Sequence, residues 1–229
     1  MPSSQHQQIT KIIDYVLTIN PKSVLEIGIG FGKYGLLCRE YLEFWKGDVD
    51  WQLPVKENWV RRIDGIEAFD SYINQHQKYI YNNIYNGDAL EVFNSIEHQY
   101  DLILMIDVLE HFTYENGMKL LKKCLAKSQN ILVSVPKDIG LQSDVNDNEY
   151  EIHRFQFLKK HFKELSVECV FSSGGSSSLI VLLGKNSKRY HYERILREWF
   201  IYLKESLPGF WARRRKITDK LRRADQANK

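Results

Sequence analysis

The sequence predicts an α/β fold: a doubly wound, mostly parallel sheet with an antiparallel last strand, followed by a basic helical tail. Three observations carry that reading. Apolar runs of strand length alternate with segments of helical period, the pattern of βα units in a parallel sheet. Four glycines fall within eight residues of "LEIGIGFGKYG" (residues 25–35), directly after the first apolar run. The last two apolar runs are joined by "SSGGSSS", a flexible reversal that suits a hairpin.

The elements follow in order. Residues 8–17 place Ile9, Ile12, Ile13, Val16 and Leu17 at helical spacing. Asn20-Pro21 ends that helix, because proline biases its predecessor away from helical geometry. Residues 23–27 read as a buried strand and residues 32–43 as a helix. Residues 45–58, with proline and aspartate breakers, read as an inserted loop. A second strand spans 62–66 and ends at Glu67, a short helix spans 71–78, and a third strand spans 80–85 before the turn Asn86-Gly87-Asp88. Residues 89–96 form a short helix. "DLILMID" (residues 101–107) is an apolar run bounded by acids, as a strand buried on both faces requires. A helix over 116–127 and a strand over 130–135, stopped by Pro136, come next. A polar loop runs to Tyr150, residues 153–162 read as helical, and strands over 166–171 and 179–183 make the hairpin.

Composition bounds the setting. Cys38, Cys124 and Cys169 lie far apart, with neither paired metal spacing nor a disulfide framework, which fits a reducing compartment. The N-terminal "MPSSQHQQITK" has no apolar signal region, and no apolar run approaches the roughly 20 residues that span a bilayer. The expectation is a cytoplasmic protein. The net charge of +3 hides an asymmetry: from Lys185 onward 14 Lys and Arg stand against 5 Asp and Glu. A mildly acidic body (residues 1–184) thus carries a basic extension (residues 185–229). In that extension Tyr192, Ile195, Leu196, Trp199 and Leu203 form one apolar helical stripe, and Pro208-Gly209 breaks it before a strongly basic segment.

The glycine turn is the first chemical signal. Glycines let a backbone approach a ligand closely, and the helix that follows offers unpaired N–H groups to an anion. Two ligands fit. Gly30, Gly32 and Gly35 match the G-x-G-x-x-G of dinucleotide sites; Glu26 with Gly28, Gly30 and Gly32 matches the E-x-G-x-G-x-G of S-adenosylmethionine sites. Both ligands call for a carboxylate after the second strand to hold ribose hydroxyls, and Glu67 is placed for it, while Asp64 falls inside the strand. Asp88 suits either an adenine amino group or a helix N-cap.

"VLEIGIGFGKYG", "GIEAF", "NGDALEVF" and "YDLILMIDVLEHF" stand in an order and spacing that resembles class I S-adenosylmethionine-dependent methyltransferases. "DVLEH" is the most specific piece. The sequence is similar to small-molecule enzymes of the ubiquinone-biosynthesis and methyltransferase-domain type over roughly residues 23–184; the extension and the 45–58 insertion lie outside. The resemblance implies a seven-stranded, Rossmann-like sheet with an antiparallel last strand. It implies that Glu26, Gly28, Gly30 and Gly32 hold the methionyl end, Glu67 the ribose and Asp88 the adenine amino group, and that Asp107 lines the floor near the methyl group. Gly35 then becomes a helix residue that allows close packing against the sheet.

The implied reaction transfers a methyl group to oxygen or nitrogen of a small-molecule or glycan-like acceptor. A base is needed only where the nucleophile carries a proton. His111 in "DVLEHF" and His153 in "EYEIHRFQF" are the catalytic candidates, with Tyr150 and Arg154 as lesser contacts to the acceptor. Asp138, Asp144 and Asp147 read as a solvated loop rather than a magnesium site, so no metal is expected. The tail suits packing on the body, self-association or an anionic membrane surface; nucleic acid fits less well, because the body is acidic. The alternatives are a catalytically silent cofactor-binding module, an RNA methyltransferase using the tail, and a nicotinamide-dependent oxidoreductase, which "DVLEH" does not support.

Overall fold

The structure, a computed structural model, describes residues 4–44, 56–140, 142–143, 147–175 and 177–206. Its strands are β1 (Ser23–Ile27), β2 (Arg62–Glu67), β3 (Ile84–Asn86), β4 (Leu102–Ile106), β5 (Asn130–Pro136), β6 (Cys169–Gly174) and β7 (Ser178–Gly184). They form one sheet in the order β3-β2-β1-β4-β5-β7-β6. The pairs among β1 to β5 are parallel, and β7 runs antiparallel to both β5 and β6. The hairpin expected from "SSGGSSS" is present, and the last strand of the chain is the antiparallel one. It lies between β5 and β6 rather than at the sheet edge, pairing Val181 with Val133 on one side and Phe171 on the other.

Helices α1 (Ile9–Ile19), α2 (Lys33–Arg39) and α3 (Gln75–Ile80) contribute to one face; α4 (Ala89–Val92), α5 (Tyr114–Lys127) and α6 (Lys159–Lys163) to the other. Strand β4 shows why "LILMI" is apolar throughout. Leu102, Leu104 and Ile106 pack with α1 and α2 residues such as Val16 and Cys38, whereas Ile103 and Met105 pack with Leu121 and Cys124 of α5. Each such fully buried side chain contributes about 1.5–3 kcal/mol. Arg39 fixes the far end of α2: its guanidinium donates to the carbonyls of Ile80 and Arg61 and lies 4.1 Å from the Trp59 ring.

Four expected elements differ. The helix expected over 71–78 is a 3-10 turn at Asp70–Tyr72 followed by α3, where Gln77 Oε1 accepts the N–H of Asn74 at the helix start. Ile80 therefore closes a helix, and β3 begins only at Ile84. The helix expected over 153–162 is confined to α6. Arg154 and Phe155 instead donate their N–H groups to the carbonyl of Glu110, at 2.8 and 3.2 Å, which keeps this stretch out of a helical ladder. Ser166 takes a left-handed conformation (φ 54°), so β6 starts at Cys169 rather than at 166.

The chain divides into two compact units, one through Tyr190 and one from His191. Helix α7 (Ser187–Ser206) carries the expected stripe from Tyr192 to Leu203. No helix among the described residues is long and apolar enough to cross a membrane. Residues 45–55 of the insertion, Asp144, and the Pro208-Gly209 break with its basic segment lie outside the described residues.

Candidate functional site

Strand order reverses between β1 and β4, and open α/β sheets bind ligands in the crevice at the carboxyl ends of such strands. A cavity of about 550 Å³ lies there, with Gly28 after β1, Glu67 at the end of β2 and Asp107 after β4 among its lining.

The conformation of the glycine turn distinguishes the two frames. Gly28, Gly30 and Gly32 take φ of 71°, 48° and 81°, while Gly35 sits in α2 with ordinary helical φ. At Gly28 a Cβ would meet Val108 Cγ2 at 2.5 Å, so both the backbone and the space require glycine. The turn is braced from below. Gly28 N–H donates to Ile66 O at 2.9 Å, and Gln77 Nε2 donates to Gly30 O at 2.7 Å. Gly35 does allow a close approach, but its partner is the Tyr81 ring, which a Cβ would meet at 2.4 Å. That approach lets Tyr81 OH donate to Glu26 Oε2 at 2.6 Å.

Each expected acid lines the cavity. Burial drives the Glu26 carboxyl up to about 8, against the opposing pull of the Tyr81 hydroxyl and the Gly35 N–H. Glu67 is also pushed up by burial; its Oε2 accepts from Gly30 N–H at 2.9 Å and its Oε1 from Phe69 N–H at 3.0 Å. Glu67 thus braces the turn, and each oxygen keeps a lone pair for a ribose hydroxyl. Asp88 caps α4, accepting from Leu90 N–H at 2.7 Å. Asp107 is held in a left-handed conformation (φ 53°). Its Oδ2 accepts from Gln8 Nε2 at 2.6 Å and its Oδ1 from Ser134 Oγ at 2.8 Å, and burial pushes its carboxyl up.

His111 and His153 come together in the same cavity, their ring centroids 5.1 Å apart. Their Nδ1 atoms meet the backbone carbonyls of Ile152 (3.3 Å) and Ile139 respectively. A carbonyl only accepts, so Nδ1 carries the hydrogen in both rings, and Nε2 is the lone-pair atom of either ring in its neutral form. Burial pushes His111 down to about 4, which keeps it neutral at pH 7. Tyr150 and Arg154 line the cavity as well.

Two residues of the site escaped sequence reasoning. Gln8, fully buried, donates its amide N–H to Asp107 and sets its amide oxygen beside the Ser134 hydroxyl. Nothing local marks it, because its partners lie far along the chain. Glu110 stands inside "DVLEH", so the motif did contain it. Its side chain is 1% exposed, its Oε2 has no partner, and burial, aided by the charge of Asp107, raises its carboxyl well above the ordinary range.

A family model described as a methyltransferase domain matches residues 3–171. The chain belongs to the methyltransferase-domain family. No curated protein matches the methyltransferase significantly. Among solved structures it is similar to the PH0226 protein from Pyrococcus horikoshii OT3, with a TM-score of 0.54 at 13% identity over 78% of this chain and 88% of that one. A SAM-dependent methyltransferase from Archaeoglobus fulgidus gives 0.52 at 16% identity, over 78% and 94%. The N-terminal domain of EvdMO1, crystallised in the presence of SAH and D-fucose, gives 0.52 at 14%, over 80% and 84%. At these identities the likeness speaks for the fold. The residues present fit S-adenosylmethionine, the cofactor of this class. Glu26, Glu67 and Asp107 line one cleft and make no salt bridge among the described residues, so a ligand's ammonium or sulfonium would meet acids that it can draw into the charged form.

Proposed function

We propose that this methyltransferase moves a methyl group from S-adenosylmethionine to a small hydroxylated or amine-bearing acceptor. The carrying observation is one cavity that joins the glycine turn and its acids to the two histidines. Glu26 receives the ammonium of the methionyl group, and the turn from Gly28 to Gly32 lets the backbone close on it. Glu67 takes the ribose hydroxyls. Asp88, already oriented by its cap to Leu90, accepts from the adenine amino group. When bound, the cofactor supplies an electrophilic methyl on a positively charged sulfur. The chain then has to align the acceptor and exclude water, effects that can be worth roughly 7–11 kcal/mol. Asp107, pinned by Gln8 and Ser134, forms the floor under the transferred methyl. His111 and His153 stand on the acceptor's side of the cavity, and Tyr150 and Arg154 flank it.

Calorimetry with S-adenosylmethionine and S-adenosylhomocysteine tests the cofactor reading. Saturable binding at one site per chain is expected, and absence of binding by folded protein overturns it. Transfer of labelled methyl to a panel of small hydroxylated and amine acceptors, set against RNA, tests the acceptor. Label entering RNA alone overturns the small-molecule reading.

A further inference from the structure

The described residues hold one group of potential metal ligands. Glu110, His111 and His153 each offer a ligand atom, and these atoms lie within 4.8 Å of one another. Three features distinguish the group from a chance meeting of polar side chains. Both imidazoles donate Nδ1–H to a backbone carbonyl, the outer contact that usually orients a metal-ligating histidine and leaves Nε2 to bind. Glu110 is almost wholly buried, yet its Oε2 makes no hydrogen bond, although buried polar atoms are nearly always paired. The backbone also fixes the assembly, because the Glu110 carbonyl accepts from Arg154 and Phe155 N–H and so ties the histidine pair's two chain segments together. Two imidazoles and a carboxylate thus offer ligand atoms within 4.8 Å of one another.

We propose that Glu110, His111 and His153 bind a divalent first-row transition cation, whose open positions seat the acceptor through two adjacent oxygens. Two imidazoles and one carboxylate suit manganese, iron, cobalt or zinc better than magnesium, which prefers oxygen ligands throughout. Three protein ligands leave coordination positions free, as catalytic sites require. A catechol, a vicinal diol or an α-hydroxy acid presents two oxygens at chelating distance. The loop aspartates Asp138 and Asp147 take no part in the group. The acceptor half of this proposal rests on the methyltransferase reading; the cation site itself does not.

Cobalt(II) is the probe for the site and S-adenosylhomocysteine the control for the cofactor half of the cleft. Titration of the full chain is expected to give one cobalt per chain, with visible d–d absorption. His153→Ala and Glu110→Gln are each expected to weaken that binding at least tenfold, while S-adenosylhomocysteine binds as before and reports an intact fold. Catechol is expected to shift the d–d bands of the cobalt-loaded protein and to leave spectra of both variants unchanged. No saturable cobalt binding by protein that binds S-adenosylhomocysteine overturns the site, as does cobalt affinity unchanged in both variants. A loaded site blind to catechol overturns the acceptor seat. Cobalt binding without any binding of S-adenosylhomocysteine supports the site and removes the methyltransferase reading instead.

Discussion

Replacing Glu26 with glutamine abolishes a proton release that accompanies binding of S-adenosylhomocysteine to the wild-type protein. Burial holds the Glu26 carboxyl at about 8. At pH 7 roughly nine in ten molecules therefore carry the proton. A ligand ammonium brought within about 4–6 Å favours the carboxylate and lowers its pKa by about 1–3 units. Binding at pH 7 then releases about 0.4–0.9 proton per ligand, and at pH 9, where the proton is already gone, no more than about 0.1. Calorimetry in buffers of different ionisation enthalpy reads this directly, as the slope of apparent enthalpy against buffer enthalpy. The quantity to compare is the difference between wild type and Glu26→Gln at each pH, which cancels protons exchanged by other groups. A difference near zero at pH 7 refutes the placement of the ammonium at Glu26.

The other predictions concern the scaffold. Gly28→Ala combines a left-handed conformation, about 1–2 kcal/mol for a residue with a Cβ, with overpacking against Val108, about 1–3 kcal/mol; a thermal midpoint lower by about 5–15 °C is expected, with loss of cofactor binding. Gln8→Ala leaves Asp107 Oδ2 without its donor and should cost about 1–3 kcal/mol in urea unfolding. Asp88→Ala removes the α4 cap, at about 0.5–2 kcal/mol, whereas Asp88→Asn keeps it. If the carboxylate also serves adenine, the Asn variant keeps its thermal midpoint yet binds S-adenosylhomocysteine about tenfold or more weakly; unchanged affinity reduces Asp88 to a cap.

Much of this molecule was legible because its signals are local. "DLILMID" announces a strand buried on both faces, and alternate residues of β4 do face two different helix layers. The glycine frame became readable once the later motifs were set beside it, and the positive φ values fall on the chosen three. What stayed hidden depends on partners remote in sequence. Residues 153–157 have the composition of a helix, but the N–H groups of Arg154 and Phe155 find the carbonyl of Glu110 and that of His153 finds Gln142. The Lys33 and Tyr34 side chains, whose purpose the sequence leaves open, both meet Ser4: Lys33 Nζ donates to its carbonyl at 2.7 Å and Tyr34 OH accepts from its hydroxyl at 3.3 Å. They hold the N-terminal segment against the cleft, a job no short window of sequence displays.

Gly35 joins the two glycine patterns into one device. The turn from Gly28 to Gly32 approaches the ligand, and Gly35, one helical turn on, makes room for the phenol that holds Glu26. The result is an acid buried with a single hydroxyl and a backbone N–H for company, a costly arrangement for a carboxylate. Its folded-state pKa lies above the ordinary 4.5, so the folded protein binds this proton more tightly than the unfolded chain. The associated stability is complete below about pH 4.5 and is lost progressively as pH rises towards 8, at about 1.4 kcal/mol per unit within that window. The same deprotonation creates the negative charge that an ammonium ligand needs. Stability of the free protein and affinity for the ligand must therefore move in opposite directions with pH. Between pH 5 and 8 the thermal midpoint of the free protein should fall, and the increment added by saturating S-adenosylhomocysteine should grow, with both trends flattened in Glu26→Gln. A buried acid with a purely structural purpose produces the fall alone, so the growing increment is what separates a binding residue from a strained one.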